Sequence, residues 1–292
     1  MSNGGVVLAS FGRGVLVQTG AGTLRCSLKS RKLRIVCGDR VTWKTLRSAD
    51  EPSVESIEPR RNLIERIDAR GRPEPVAANI DRLAIMVAPE PAPDWFLVDR
   101  YWAGARLKDI EVLLLVNKSD LGLGALESEL AVYEDLQLPI LKVACHGELK
   151  LAELQRSLAS GVTLIVGQSG VGKSSLANAL APEAAALTAD LTRDAEGRHT
   201  TTTARWYPIG PDAAIIDAPG VRDFAPPASI ARAAERGFQE IHTLGAGCKF
   251  NDCRHFEEPG CAVQAAVTDQ KVSARRYESY RRLTRLYEAL AS

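Results

Sequence analysis

Apolar residues change their spacing at two points along this chain of 292 residues. Residues 4–47 contain short runs rich in Val, Leu and Ile, such as GVVLAS, GVLVQT and LRIVCGDRVTW, which glycine-containing turns separate. Such runs are typical of a small all-β barrel or sandwich. The pattern predicts a β domain at 1–70, and the prolines of ARGRPEP at 69–75 predict a linker after it.

From about residue 76, apolar strand patterns alternate with helix patterns. The strand patterns include DRLAIMVAPE, EVLLLVNKSD and VTLIVGQSG, and the helix patterns include WFLVDRYWAGARL and ALESELAVYEDL. This alternation implies a mostly parallel sheet that helices cover on both faces. We therefore predict a multidomain α/β protein, with an α/β domain at 71–227 and a helical domain at 228–292.

Composition and charge narrow the function classes. Hydrophobic residues make up 45% of the chain and charged residues 25%, as in soluble globular proteins. The opening MSNGGVVLAS lacks the features of a secretion signal, and runs such as VLLLV are far shorter than the ~20 residues of a membrane helix. We expect a cytoplasmic monomer with no membrane partner. Residues 1–70 carry 13 Lys and Arg against 7 Asp and Glu, which fits either an anionic partner or a solvated basic face.

A phosphate-binding loop follows the strand pattern VTLIV. Gly167, Gly172, Lys173 and Ser174 match G-x-x-x-x-G-K-[ST], and the match opens the helix pattern KSSLANAL. Backbone N–H groups of such a loop surround phosphate oxygens, while the lysine reaches the β- and γ-phosphates and the serine binds Mg²⁺. The predicted phosphate-contacting residues are Gly167, Gln168, Ser169, Gly170, Val171, Gly172, Lys173, Ser174 and Ser175.

The sequence NKSD follows the strand pattern VLLLV and indicates the base. Asp120 can accept hydrogen bonds from two N–H groups on the Watson–Crick edge of guanine, a pair of donors that adenine does not offer. We expect Asn117 to brace the surrounding loops and Lys118 to cover the base plane. The predicted nucleotide is therefore GTP or GDP.

A third motif, DAPG at 217–220, follows the strand pattern AAIID. Asp217 is expected to hold Mg²⁺, and the Gly220 N–H is expected to face the γ-phosphate. The segment GRHTTT at 197–202 supplies threonines that can complete the Mg²⁺ coordination. The predicted magnesium ligands are Ser174, either Thr201 or Thr202, and Asp217 through a water molecule.

The order of these motifs is unusual, because the base motif precedes the phosphate loop. An ordinary GTPase places it last, and joining the ends of the sequence would restore that order. The sequence therefore predicts a circularly permuted P-loop GTPase domain, a rearrangement that folds tolerate when their termini lie close together. Two other functions stay open: a kinase for a small molecule, and a nucleic-acid-binding zinc protein whose nucleotide site only stabilises the fold.

Four potential metal ligands lie within fourteen residues near the C-terminus. Cys248, Cys253, His255 and Cys261 have the spacing C-x4-C-x-H-x5-C. Three thiolates and one imidazole suit a closed tetrahedral Zn²⁺ site with no open position for catalysis. We predict one structural zinc ion, which would stabilise a domain too small for a large core.

The last helix pattern has two faces. Its tyrosines and leucines recur every three or four residues and predict a packed stripe. The opposite face carries arginines that could be solvated or contact phosphates, namely Arg275, Arg276, Arg281, Arg282 and Arg285.

Together these motifs resemble the ribosome small-subunit-dependent GTPase A family of bacterial ribosome-biogenesis factors. VCGDRV and ANIDRLAIMVAPEP are also similar, so the resemblance covers nearly the whole chain. It implies an N-terminal OB-fold, a permuted GTPase domain and a C-terminal zinc domain. It also implies that the small ribosomal subunit and its ribosomal RNA are partners, that the subunit stimulates GTP hydrolysis late in its maturation, and that release follows. Basic residues of the OB-fold suit RNA: Arg25, Lys29, Arg31, Lys32, Arg34, Arg40, Lys44 and Arg47.

The resemblance also implies a catalytic residue. Many GTPases place Gln just after DxxG to orient the attacking water, but Val221 stands there in this chain. The family points instead to the histidine of GRHTTT, which is His199. One departure from the family concerns the last guanine-contacting loop, where Ala144 and Cys145 replace the usual Ser-Ala-like pair.

Overall fold

The N-terminal residues form a closed barrel of five strands in the computed structural model. The strands are β1 (Asn3–Phe11), β2 (Gly14–Thr19), β3 (Gly22–Leu28), β4 (Arg40–Lys44) and β5 (Ser53–Ile57). Val7, Val17 and Val41 are fully buried in the barrel core. The predicted barrel is confirmed, and its five strands agree with an OB-fold. The structure describes residues 3–11, 14–28, 33–45, 51–68, 71–144, 148–182, 204–218, 221 and 233–291.

A β-hairpin follows the barrel where the sequence predicted a linker. β6 (Leu63–Ile67) pairs antiparallel with β7 (Pro73–Ala78), and Arg66 contacts Glu74 across the pair at 2.7 Å. The linker prediction is wrong because both strands of a two-stranded sheet are edges, and Pro is tolerated at an edge. The predicted boundary between residues 70 and 71 falls between these two strands.

A six-stranded sheet forms the centre of the α/β domain. Its strands are β8 (Arg82–Val87), β9 (Glu111–Val116), β10 (Ile140–Lys142), β11 (Gly161–Gly167), β12 (Arg205–Gly210) and β13 (Ala213–Asp217). Their order is β10-β9-β8-β11-β13-β12, and only β12 is antiparallel to its neighbour. The mostly parallel sheet is thus confirmed. The base motif, the phosphate loop and DAPG begin at the carboxyl ends of β9, β11 and β13, which lie at the same edge of the sheet.

Both faces of this sheet are buried under helices. Among the described residues, the helices of the domain are α1 (Trp95–Arg106), α2 (Glu127–Asp135), α3 (Glu148–Ser157) and α4 (Lys173–Leu180). Leu83 and Ile85 of β8 belong to the same hydrophobic cluster as Tyr101 of α1, while Ala84 and Met86 belong to a second cluster on the other face. Alternate residues of a strand point to opposite faces, so a strand covered on both sides is apolar throughout.

Helices dominate the C-terminal part of the chain, as predicted. Within residues 233–291 they are α5 (Ala233–Gly237), α6 (Gln239–Gly245), α7 (Ala262–Thr268) and α8 (Ala274–Ala291). Tyr280 and Leu283 of α8 are buried in one cluster with Phe238, which confirms the predicted packing for these residues. None of the helices in the described part of the chain has the length and apolar surface needed to cross a bilayer.

A buried carboxylate joins the C-terminal helix to the α/β domain. Asp99 of α1 is 1% exposed, and its two oxygens lie 2.6 Å from Nη1 of Arg275 and 2.6 Å from Nη1 of Arg276, both on α8. Tyr133 of α2 donates a hydrogen bond to the same carboxylate at 2.7 Å. Glu240 of α6 contacts Arg276 at 2.7 Å.

For Arg275 and Arg276, the prediction of a solvated or phosphate-contacting face is wrong, because both pair with Asp99. Arg276 is 2% exposed. Burial alone would lower the pKa of Arg276, but Asp99 and Glu240 beside it raise that pKa above its ordinary value. A buried charge requires such partners, so the position of α8 against α1 depends on this pairing.

We predict that Asp99→Asn lowers the free energy of unfolding by about 3–5 kcal/mol, because it takes the shared counter-charge from buried Arg276 and half-buried Arg275. Urea unfolding followed by tryptophan fluorescence measures this loss. Two of the four tryptophans report on this region, since Arg275 lies over the ring of Trp95 and Arg276 over the ring of Trp102.

The control for this variant is Asp269→Asn. The Asp269 side chain is 57% exposed in its ion pair with Lys271, and exposed pairs contribute about 0–1 kcal/mol. Equal stability of the two variants would contradict the role assigned to the buried carboxylate.

Candidate functional site

Two glycines of the phosphate loop are required by their surroundings. Gly167 ends β11 with a φ of 144°, and a Cβ there would lie 2.2 Å from the carbonyl oxygen of Met86 on β8. Gly172 precedes α4 with a φ of 100°, and a Cβ there would lie 2.4 Å from Nδ2 of Asn117. Both φ values favour glycine. Only glycine therefore lets the loop pack this closely against β8 and the base motif.

The loop brings the predicted phosphate and magnesium ligands together. Nζ of Lys173 donates to the carbonyl oxygens of Gly167 at 2.9 Å and Gln168 at 2.6 Å, so the ammonium group lies against the loop. Oγ of Ser174 donates to Oδ2 of Asp217 at 3.0 Å. Neighbouring ligands of an octahedral Mg²⁺ are about 2.9 Å apart, because each lies about 2.0–2.1 Å from the metal. Ser174 and Asp217 therefore fit a magnesium site.

The residue after DAPG has its side chain in the core. Val221 is 3% exposed, and its carbonyl oxygen accepts a hydrogen bond from the hydroxyl of Tyr101, a fully buried residue of α1. A valine in this position has no group that could orient a water molecule, in line with the sequence analysis.

Four predicted site residues lie outside the described part of the chain, namely His199, Thr201, Thr202 and Gly220.

The base motif docks onto the phosphate loop although it comes earlier in the chain. Asn117 is 2% exposed, and its Nδ2 donates to the carbonyl oxygen of Val171 at 2.8 Å. Nζ of Lys118 donates to the carbonyl oxygen of Gly170 at 3.0 Å. The bracing contact expected of Asn117 is thus present. Asp120 is exposed, so its carboxylate is accessible to a base.

The sequence analysis missed another part of the site, the loop between β8 and α1. The side chain of Gln168 accepts a hydrogen bond from the Asp94 N–H at 2.7 Å and donates to the carbonyl oxygen of Ala92 at 3.3 Å. Nζ of Lys118 donates to the carbonyl oxygen of Glu90 at 2.7 Å. The position of the β8–α1 loop in the sequence could have indicated its role, because loops at the carboxyl ends of parallel strands form the ligand sites of such sheets.

The loop predicted to make the last contact with guanine is described as far as Ala144. The Ser119 N–H donates to the carbonyl oxygen of Val143 at 3.1 Å, and the Val143 N–H donates to that of Val116 at 2.8 Å. Backbone hydrogen bonds therefore hold the start of this loop beside the base motif, whatever side chain follows. Cys145 lies outside the described residues.

The four predicted metal ligands converge in the C-terminal part of the chain. The ligand atoms of Cys248, Cys253, His255 and Cys261 all lie within 4.8 Å of one another. The sulfurs of Cys248 and Cys261 are 3.8 Å apart, and each lies 3.5 Å from Nδ1 of His255. Tetrahedral zinc, with Zn–S of about 2.3 Å and Zn–N of about 2.0 Å, requires separations of about 3.8 and about 3.5 Å. The cluster therefore fits Zn²⁺ with Nδ1 as the histidine ligand.

Local backbone structure presents these ligands. His255 has a positive φ of 62°, and Cys261 directly precedes α7 and caps it. The carboxylate of Glu258 accepts hydrogen bonds from the N–H groups of Arg254 and Phe256, each at 2.8 Å. Burial opposes the charge of Glu258, but backbone N–H groups lower its pKa to about 2. The ionised carboxylate thus holds the ligand loop in shape at neutral pH.

The basic stretch of the barrel is partly described. Arg34 and Arg40 are exposed, and Arg25 contacts Glu51 at 3.1 Å on the surface. An exposed pair of this kind contributes little to stability. Four further basic residues, Lys29, Arg31, Lys32 and Arg47, lie outside the described residues.

Comparison with known proteins identifies close relatives. Residues 57–226 match the family model described as RsgA GTPase. The small ribosomal subunit biogenesis GTPase RsgA of Pseudomonas fluorescens strain SBW25 is 40% identical over 287 residues, which cover 95% of this chain and 83% of that protein. The protein of the same name from Pseudomonas aeruginosa strain LESB58 is 40% identical over 285 residues, which cover 96% of this chain and 84% of that protein.

Two solved structures share the fold. YjeQ from Thermotoga maritima matches with a TM-score of 0.72 and 25% sequence identity over 99% of each chain. YloQ, described as a circularly permuted GTPase, matches with a TM-score of 0.71 and 22% identity over 99% of this chain and 96% of that chain. The permutation predicted from the order of the motifs is confirmed.

We predict that Gly172→Ala weakens GDP binding at least about tenfold, which corresponds to about 1.4 kcal/mol. The added Cβ would collide with Nδ2 of Asn117 and separate the phosphate loop from the base motif. Titration with a fluorescent GDP analogue measures the affinity. Gly124→Ala is the control, because a Cβ at Gly124 meets no atom within 4 Å. Unchanged affinity in Gly172→Ala would show that this docking is not needed for binding.

Proposed function

The chain belongs to the RsgA GTPase family and hydrolyses GTP, and from this premise we propose that it is a late maturation factor of the small ribosomal subunit. The observation that carries the proposal is the docking of Asn117 onto the phosphate loop, 2.8 Å from the carbonyl oxygen of Val171. It joins the guanine-specific motif to a phosphate site in a permuted order. Relatives that are 40% identical to this chain are named small ribosomal subunit biogenesis GTPases.

The phosphate groups of GTP are held by the loop that follows β11. Its backbone N–H groups and Lys173 bind the β- and γ-phosphates. Ser174 and Asp217, 3.0 Å apart, hold Mg²⁺ together with Thr201 or Thr202. When bound, Mg²⁺ supplies positive charge that offsets charge developing on the phosphate oxygens. Gly220 places its N–H toward the γ-phosphate.

His199 orients the water molecule that attacks the γ-phosphate. The support for this role is the family resemblance together with Val221, which is buried and has no polar side chain. Phosphoryl transfer to water depends mainly on the positioning of the water molecule, so basal turnover is slow until a partner completes the site. Contact with the small subunit is the event that brings His199 into place, and hydrolysis then releases the factor.

The barrel binds ribosomal RNA and the zinc domain stabilises the C-terminal end. Arg34 and Arg40 are exposed on the barrel and suit the phosphate backbone of RNA. Zn²⁺ is held by three thiolates and Nδ1 of His255, which gives a closed structural site. The factor acts as a monomer in the cytoplasm.

We predict that Asp120→Asn lowers kcat/KM for GTP by about 100-fold or more, because a carboxylate hydrogen bond is worth about 1.5–3 kcal/mol and Asp120 makes two to guanine. The amide of Asn offers one donor and one acceptor, which matches the edge of xanthine, so turnover of XTP should rise. Steady-state hydrolysis of both nucleotides tests this. Asp135→Asn, at the exposed end of α2, should change neither. Unaltered GTP preference in Asp120→Asn would exclude Asp120 as the base-reading residue.

We also predict that purified small ribosomal subunits raise the rate of GTP hydrolysis by about tenfold or more, as expected when a partner completes a catalytic site. The measurement compares phosphate release with small subunits, with large subunits and with no ribosomal particle, using ATP as the nucleotide control. His199→Ala should abolish the stimulation. A stimulated His199→Ala variant would refute the role of His199, and no response to small subunits would refute the partner.

A further inference from the structure

A buried carboxylate faces the cysteine–histidine cluster from outside. Glu235 lies on α5 and its side chain is 8% exposed. Its Oε2 is 3.8 Å from Nε2 of His255, and its Oε1 is 3.3 Å from Nδ1 of His242. Both Oε2 of Glu235 and Nε2 of His255 are shielded from solvent. Glu235 is therefore an interior group that the nucleotide site does not use.

The two nitrogens of His255 face different groups. Nδ1 lies 3.5 Å from the sulfurs of Cys248 and Cys261, while Nε2 faces the Glu235 carboxylate. A histidine that binds a metal through one nitrogen usually donates its other N–H to a carboxylate or carbonyl oxygen. A shift of about 0.8 Å would bring Oε2 and Nε2 within hydrogen-bond distance. The ring is thus oriented for metal on one side and carboxylate on the other.

Two glycines create the space for this arrangement. A Cβ on Gly245, the last residue of α6, would lie 3.1 Å from Nε2 of His255 and 3.3 Å from Oε1 of Glu235. A Cβ on Gly237, at the end of α5, would lie 2.6 Å from the Cβ of Ala103 on α1. The helix that carries Glu235 is therefore packed between the α/β domain and the cluster, with little room to move the carboxylate away.

We propose that Glu235 is a positioning residue for the metal: it accepts the Nε2–H of His255 and so holds the imidazole with the Nδ1 lone pair toward Zn²⁺. This inference rests on the proposed zinc site. Because Glu235 belongs to α5, the first described helix after DAPG, zinc occupancy and the position of α5 depend on each other. The cluster then stabilises the junction of the two domains in addition to its own loop.

The test is zinc affinity of the full-length protein, measured by competition with a chromophoric chelator. Glu235→Ala should bind zinc about 10–100-fold more weakly, the usual effect of losing such a partner. Glu235→Gln, which keeps an acceptor oxygen, should lose less and serves if the alanine variant does not fold. Glu257→Gln is the matched control, because it removes an exposed carboxylate two residues from His255 and should leave affinity unchanged.

Two further readouts separate positioning from simple stability. In nitrogen-15 spectra of zinc-loaded protein, His255 should be the tautomer with Nε2 protonated, and Glu235→Ala should shift its Nε2 signal. Hydrogen exchange of the amides of residues 233–237 should speed up by about tenfold when zinc is removed. Glu235→Ala should show that faster exchange with zinc still bound.

The outcomes distinguish this inference from the proposed site. A wild-type protein without affinity for zinc would overturn both the site and the role of Glu235. A wild-type protein that binds zinc, with the same affinity and the same His255 signal in Glu235→Ala, would overturn the role of Glu235 alone.

Discussion

The buried carboxylate of Asp99 is the constraint on which the arrangement of the domains depends. It lies 2.6 Å from a guanidinium nitrogen of each of two arginines on α8. Charges inside a protein are tolerated only when they are paired, and breaking such a pair costs about 3–5 kcal/mol. Arg275 and Arg276 therefore fix α8 against α1, and with α8 the cluster of Tyr280 and Leu283 that forms the C-terminal core.

Besides the ion pairs of Asp99, α1 contacts the C-terminal part of the chain through α5, which follows the GTPase motifs in the permuted order. The sheet keeps the strand positions of a P-loop GTPase, so Asn117 reaches Val171 at 2.8 Å although it precedes the phosphate loop. The new order means that the chain leaves the sheet after β13 and continues into α5. That helix packs on α1 through Gly237 and Ala103 and faces the metal cluster through Glu235. The first helix described after DAPG thus lies at the junction of the two domains.

Features that depend on residue type and local spacing could be predicted from the sequence. The phosphate loop needed glycine at Gly172 and a strand before it, and the metal ligands needed only their spacing. The role of Arg276 could not be predicted, because its partner Asp99 is 177 positions away and a helix pattern does not show which arginine faces a buried carboxylate. The hairpin was missed for a similar reason: whether Pro73 can enter a strand depends on that strand being an edge. The contact of the Gln168 side chain with the β8–α1 loop depends on strand order, which no local pattern contains.

The contacts of α1 differ in strength, and this difference determines which part of the protein can move. Toward the C-terminal domain, α1 presents the charge of Asp99 to two arginines, a pairing worth several kcal/mol to keep intact. Toward the nucleotide, the Tyr101 hydroxyl donates a neutral hydrogen bond to the carbonyl oxygen of Val221, worth about 0.5–1.5 kcal/mol. A change at the γ-phosphate can break the weaker contact without disturbing the stronger one. We therefore expect α1 and the C-terminal domain to move as one unit when the hydrogen bond between Tyr101 and Val221 breaks.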